Sequence, residues 1–338
     1  MKITKPSYHL VLAATALALC VVILGAFTRL QDAGLGCPDW PGCYGFAIWP
    51  KTPEQILHAE SLFPDAPYEH AKAWPEVVHR YFASSLGFLI ILINVIAWRN
   101  RKNPNQPFKL PLFLLALVIA QGMFGMWTVT LKLWPQVVTT HLLGGFATLS
   151  LLWLLGLRLS QHPWPQPANV TSWNRLKPLA MLGLILVIAQ IALGGWTSSN
   201  YAALACPDLP TCQGQWLPPM DFVDGFNITQ EIGPNYLGGQ LDGSARVAIH
   251  VTHRIGAIVV ALYLLFLLSR LYKQANAPRL HRQAHVIAVL LIVQIGLGLS
   301  NVIWSLPLPV AVAHNACGAL LLLSLVTLNY RLRKSASW

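Results

Sequence analysis

The chain has 338 residues, 55% of them hydrophobic and only 10% charged, with a mean hydropathy of +0.52. A soluble domain carries about a quarter of its residues as charges, so this composition excludes that class and points to a membrane protein. The formal net charge of +11 would suit a nucleic-acid binder, but the charges sort by loop rather than forming a basic patch, which excludes nucleic acid as a partner.

Apolar stretches of the roughly 20 residues that cross a hydrocarbon core recur eight times. The first runs from about Leu10 to Thr28, behind Lys2 and Lys5. Its Leu17-Ala18-Leu19-Cys20 loosely resembles a lipoprotein processing site, yet the run continues to Phe27 without a small-residue cleavage pattern, which favours an uncleaved anchor. Spans follow at Tyr81 to Trp98, Leu110 to Leu131, Val137 to Arg158, Leu179 to Ser198, Val247 to Leu268, Ala284 to Trp304 and Val310 to Tyr330. Sixteen of the 23 basic residues lie in the two tails and in alternate connections, among them Arg99, Lys102, Arg175, Arg279 and Arg333. All 12 acidic residues lie in the opposite set, among them Asp32, Glu76, Asp208 and Asp242. The positive-inside rule then puts both termini of this multi-pass protein in the cytoplasm.

An internal repeat runs through these spans. Leu24-Gly25-Ala26-Phe27-Thr28 and the loop Cys37-Pro38-Asp39-Trp40-Pro41-Gly42-Cys43 recur 169 residues later as Leu193-Gly194-Gly195-Trp196-Thr197 and Cys206-Pro207-Asp208-Leu209-Pro210-Thr211-Cys212. His79-Arg80 matches His253-Arg254 at an offset of 174, while Gln121, Gly125 and His141 match Gln294, Gly298 and His314 at 173. The expected fold is therefore all-α and integral to the membrane: two tandem four-helix bundles, residues 1–165 and 166–338. Each half starts on the same side, so a pseudo-two-fold axis along the membrane normal should relate them.

Four of the eleven histidines stand out, since His79, His141, His253 and His314 each lie at the outer end of a span and each is matched in the other half. Ionisable groups at such depths are costly and are usually functional. Two imidazoles on neighbouring helices at one depth suit the axial positions of a heme iron, so His79 pairs with His141 and His253 with His314. Gly87, Gly122, Gly125, Gly144 and Gly145 in one half, and Gly256, Gly296, Gly298 and Gly318 in the other, are the small residues expected around them, whether for a macrocycle or for helix packing. His9, His58, His70, His162, His281 and His285 read as tail or loop residues.

Arg80 and Arg254 follow the first ligand of each pair, where they could bind a heme propionate or snorkel to lipid headgroups. The halves differ at Glu76, three residues before His79, whose register is filled by His250 before His253. Residues i and i+3 share a helix face, so Glu76 is placed beside one heme only, one site doing chemistry and its twin transferring electrons. Capping of a helix start after Pro75 is the alternative role. The outer cysteines read as Cys37–Cys43 and Cys206–Cys212 disulfides, structural or redox-active. Zinc is the rival, but neither loop holds a histidine. Cys20 and Cys317 lie within spans as small apolar residues.

With Leu24 to Arg29, the Cys37 to Cys43 loop, Glu76 to Arg80, Thr140-His141, His253-Arg254 and His314 all present, the chain resembles the bacterial heme A synthases over essentially its whole length. Those proteins are related to a mitochondrial protein of cytochrome oxidase assembly. The resemblance implies oxidation of a heme O methyl to a formyl through a hydroxymethyl intermediate, giving heme A. It implies His79 and His141 as ligands of the substrate heme, Glu76 as catalytic carboxylate, and His253 and His314 as ligands of a heme b cofactor. Pathway logic adds the enzyme that makes heme O as a candidate partner, beside membrane lipid and a second copy of the chain. The Tyr44 to Trp74 segment is longer than in compact relatives and is expected to form an outer helix or a lid over the first heme. The competing readings are a diheme b-type cytochrome that carries electrons without modifying its hemes, and a heme transporter or chaperone.

Overall fold

The computed structural model describes residues 5–103, 106–160, 164 and 170–334. Lys2, His162 and the expected boundary between the halves at residues 165 and 166 lie outside the described residues. Eight helices among the described residues are long and apolar enough to cross a membrane. They are α1 (Lys5–Leu30), α3 (His70–Arg99), α4 (Lys109–Thr130), α5 (Pro135–Ser160), α6 (Val170–Ser199), α8 (Gly243–Tyr272), α9 (Pro278–Ile303) and α10 (Leu308–Arg333), with α2 (Pro53–Leu62) and the single turn α7 (Phe222–Gly225) in the outer connections. A helix satisfies every backbone group within itself, which hydrocarbon demands.

The helices run further than the apolar stretches announce. α3 starts at His70, eleven residues before Tyr81, and α8 at Gly243, four before Val247. Hydropathy marks only the lipid-immersed part, whereas the hydrogen-bond ladder continues beyond it. Glu76 is thus the seventh residue of α3, well inside the helix, so it does not cap its start. His9, His58, His70, His281 and His285 also prove helical, in α1, α2, α3 and α9, instead of lying in tails or loops. α1 runs unbroken through Cys20.

Within the first half α1 packs on α3 and α5, and α4 on α3 and α5; within the second, α6 packs on α8 and α10, and α9 on α8 and α10. The halves meet through α1 with α10, α5 with α6 and α5 with α10. In the most apolar stretches of α5 and α10, 44% of the residues are buried, against 11% in α4 and α9, so the former pair forms the centre and the latter the outer flanks. One apolar core runs through both halves, with Val11, Leu152, Leu176, Leu264, Leu267 and Leu325 nearly inaccessible. Polar cross-ties join the halves: the Trp153 indole donates to Thr327 Oγ1 at 2.8 Å, and Arg29 donates to the Ser198 carbonyl.

The Tyr44 to Trp74 segment contains α2 and a small outer cluster in which Tyr44 packs edge-on against Phe63 and Tyr68 over buried Ala59, Ala73 and Val77. A Thr52–Gln55 capping box starts α2. The outer connection of the second half reaches across to the α4–α5 turn, where Tyr236 N–H donates to Lys132 O and the Trp134 indole to Gln230 O.

Thr327→Val removes the acceptor of the half-buried Trp153 indole. A cross-helix hydrogen bond in a membrane averages about 0.6 kcal/mol, reaching about 1.7 at most, so a thermal midpoint in detergent lowered by a few degrees, with an unchanged helical signal, is the expected outcome.

Candidate functional site

His79 on α3 faces His141 on α5, the ring centres 6.5 Å apart and the planes at 87°. Two metal–imidazole bonds of about 2 Å with half a ring on either side span about 6 Å, so this pair is spaced for one iron between the rings. His253 and His314, on α8 and α10, are near enough to interact electrostatically. Nδ1 of His141 and of His314 is buried without a hydrogen-bond partner. No protein group holds either Nδ1, so both rings can turn to present Nε2 to a metal.

Each of the four rings lies against a glycine of the adjacent helix. A Cβ at Gly25 would stand 3.0 Å from Cε1 of His79, one at Gly125 3.5 Å from His141, one at Gly194 3.3 Å from His253 and one at Gly298 3.2 Å from His314. Gly25 and Gly194 are repeat equivalents, as are Gly125 and Gly298. Of the glycines expected around the histidines, only Gly125 and Gly298 do this. Gly144 and Gly256 instead make room for the Gln121 and Gln190 amides, Gly318 faces Gln294 at 3.5 Å, and Gly87, Gly122, Gly145 and Gly296 meet nothing within 4 Å. The roles of Gly25 and Gly194 were hidden in the repeat motif itself.

Above these pairs sit the two cysteine loops. Cys37 and Cys43 have sulfurs 2.10 Å apart and Cys206 and Cys212 1.95 Å apart, bonded to each other and so not available as thiolate ligands. Asp39 accepts from the Tyr44 and Gly45 N–H groups, and Asp208 from Gln213 and Gly214. Tyr44 and Gln213 both adopt left-handed backbone, at φ 55° and 56°, which these local bonds offset. The hydrogen bond from Thr211, followed by those from the loop backbone, lowers the Asp208 carboxyl below the ordinary value.

The arginines take a third role beyond the two expected: they hold the loops down. Arg80 donates to the carbonyls of Asp39, Pro41 and Gly42 and pairs with Glu76 one turn earlier. Arg254 donates to Thr211 O and Cys206 O at 2.9 and 2.7 Å.

Glu76 is only 5% exposed. Its Oε1 meets Arg80 and its Oε2 accepts from Cys37 N–H at 3.0 Å. In the second half His250 occupies this place, its Nδ1 3.0 Å from Ala202 O and 3.4 Å from the Cys206 N–H donor. The first half therefore holds a buried carboxylate where its twin holds an imidazole. Gly36 brings its loop hard onto α3, for a Cβ there would lie 2.2 Å from Lys72 O; its repeat equivalent is Ala205.

A family model described as cytochrome oxidase assembly protein matches residues 8–326. A protein of Shewanella oneidensis named heme A synthase is 51% identical over 320 residues, 94% of each chain. Proteins of the same name from Rhizorhabdus wittichii and Shouchella clausii are 27% identical, covering 96% and 81% of this chain and 93% and 79% of their own.

Two outcomes test the loop geometry. Gly36→Ala should push the Cys37 loop off α3, and Cys37–Cys43 should then be reduced by dithiothreitol several-fold faster than Cys206–Cys212, read by maleimide labelling. Acid should act on the second loop: with its folded value depressed, the Asp208 contribution is complete above the usual carboxylate range and fades as pH falls through the lowered value. Protease sensitivity around Gln213 should therefore rise below about pH 4 and be pH-independent in Asp208→Asn.

Proposed function

Since the chain belongs to the cytochrome oxidase assembly family, we propose that it is a heme A synthase, taking heme O as substrate and oxidising one methyl group to a formyl. The observation that carries this reading is the 51% identity to a heme A synthase over 94% of both chains. The facing histidines with glycine behind each ring support it from the site.

In this assignment His79 and His141 hold the substrate heme between α3 and α5, and His253 and His314 hold a heme b between α8 and α10. The heme b supplies one-electron chemistry, its potential set by axial ligands and surroundings. Glu76 is the catalytic carboxylate. Its two oxygens are not equivalent, because a charge-assisted bond to a guanidinium is stronger than one from a neutral amide. A proton leaving the substrate is therefore taken at Oε2, which faces the neutral Cys37 N–H and not the guanidinium. Arg80, tied to the loop carbonyls, keeps the carboxylate one turn from His79 and the disulfide loop over it.

The same reading puts the protein in the bacterial inner membrane with cytoplasmic termini, as the sorting of its basic residues supports. The halves are related by a pseudo-two-fold axis along the membrane normal. The packing supports this: exchanging the halves turns the α1–α10 contact into α6–α5, and Arg29 bonds its own repeat equivalent, Ser198. Delivery of so insoluble a substrate makes the enzyme that produces heme O a natural partner.

Heme extracted from membranes that also make heme O should contain the hydroxymethyl and formyl derivatives; recovery of heme O and heme b alone would favour the electron carrier or the chaperone. Glu76→Gln should keep bound heme while slowing conversion by about 10²- to 10⁴-fold, and wild-type turnover would remove Glu76 from the reaction. His253→Ala should lose the low-spin signal of the C-terminal heme.

A further inference from the structure

The two halves treat their first histidine differently. In the second, Gln190 on α6 places its amide nitrogen 3.0 Å from His253 Nδ1 and 2.9 Å from the His253 carbonyl. Gly256, three residues on, makes the room, since a Cβ there would lie 2.2 Å from Gln190 Oε1. In the first half the equivalent positions are Val21 and Phe82, and no side-chain amide can reach His79 from there.

An imidazole bound to iron through Nε2 carries its remaining proton on Nδ1, and a partner at Nδ1 fixes the ring and raises its basicity. The Gln190 Oε1 is buried and without a partner, so once the ring proton is on Nδ1 the amide can turn over to accept it with Oε1, giving up its bond to the His253 carbonyl. We infer that Gln190, seated on Gly256, is a positioning residue that locks His253 in ligating orientation and makes the C-terminal heme site a retaining one, while the N-terminal site, lacking such an amide, is the exchanging one. That division suits a resident cofactor in one half and a substrate that must enter and leave in the other. The inference rests on the assignment of His79/His141 and His253/His314 as heme ligands.

Full-length protein is purified with heme as wild type, Gln190→Leu, Gly256→Ala and His253→Ala, and each is mixed in detergent with excess apomyoglobin as heme scavenger while the potentials of the bound hemes are titrated. Gln190→Leu and Gly256→Ala should lose the C-terminal heme about 10- to 100-fold faster, the usual effect of removing an outer-shell partner, and raise its midpoint potential by weakening the ligand's basicity. The N-terminal heme should keep its wild-type rate and potential. A merely structural role for Gln190 would change both hemes or move no potential. Gly256→Ala displaces the amide without altering Gln190 or His253, so it decides the matter should Gln190→Leu not fold. Wild-type loss rate and potential in both variants, with the C-terminal heme still missing from His253→Ala, would overturn the inference alone; an intact C-terminal heme in His253→Ala would overturn the ligand assignment and the inference with it.

Discussion

An imidazole that must turn edgewise between two closely packed helices needs a neighbouring backbone with no side chain behind it. Gly25, Gly125, Gly194 and Gly298 meet that requirement at the four inward histidines, each Cβ position lying 3.0 to 3.5 Å from a ring atom. Contacts of 3.0–3.3 Å are tighter than an ordinary van der Waals approach. Alanine at Gly25, Gly194 or Gly298 would therefore force a shift in the ring it backs, and a core accommodates such shifts poorly. The helices can close around each histidine pair because these positions are empty, and the disulfide loops, arginine ties and outer clusters are built on top of that closure.

Duplication preserved the scaffold and let the chemistry diverge. Both halves keep a histidine pair, an arginine clamping a six-residue-separated disulfide loop, and an aspartate that gathers backbone N–H groups at the loop's far end. The differences concentrate around the first histidine of each half: Glu76 against His250, Gly36 against Ala205, Val21 against Gln190. All three lie within one or two turns of a ring or on the loop above it. The first half gains a buried carboxylate held by a close-pressed loop; the second gains an amide against its first histidine.

The eight spans, the repeat and the histidine pairs were legible in the sequence because lipid imposes a length and an apolarity that a hydropathy pattern reports directly, and because matched offsets single out four histidines from eleven. Helix ends were not legible, since α3 continues from Tyr81 back to His70 through residues too polar for a hydropathy pattern to mark. Nor was the role of Arg80 and Arg254. Their partners are main-chain carbonyls, which every residue has and no side-chain pattern marks. The glycines posed the opposite difficulty. The chain has 24 of them, most useful for packing alone, and which four back an imidazole depends on a rotation between helices that periodicity does not encode.

Arg29 reaches the carbonyl of Ser198, 169 residues on, and Trp153 reaches Thr327, 174 residues on, so across the seam of the molecule positions meet at or beside their own counterparts. A surface that fits itself in this way is self-complementary, the kind by which two identical subunits associate. Each four-helix half presents at the seam a face of this kind. Two such units joined in one polypeptide need no further interface, and neither has to change in step with the other.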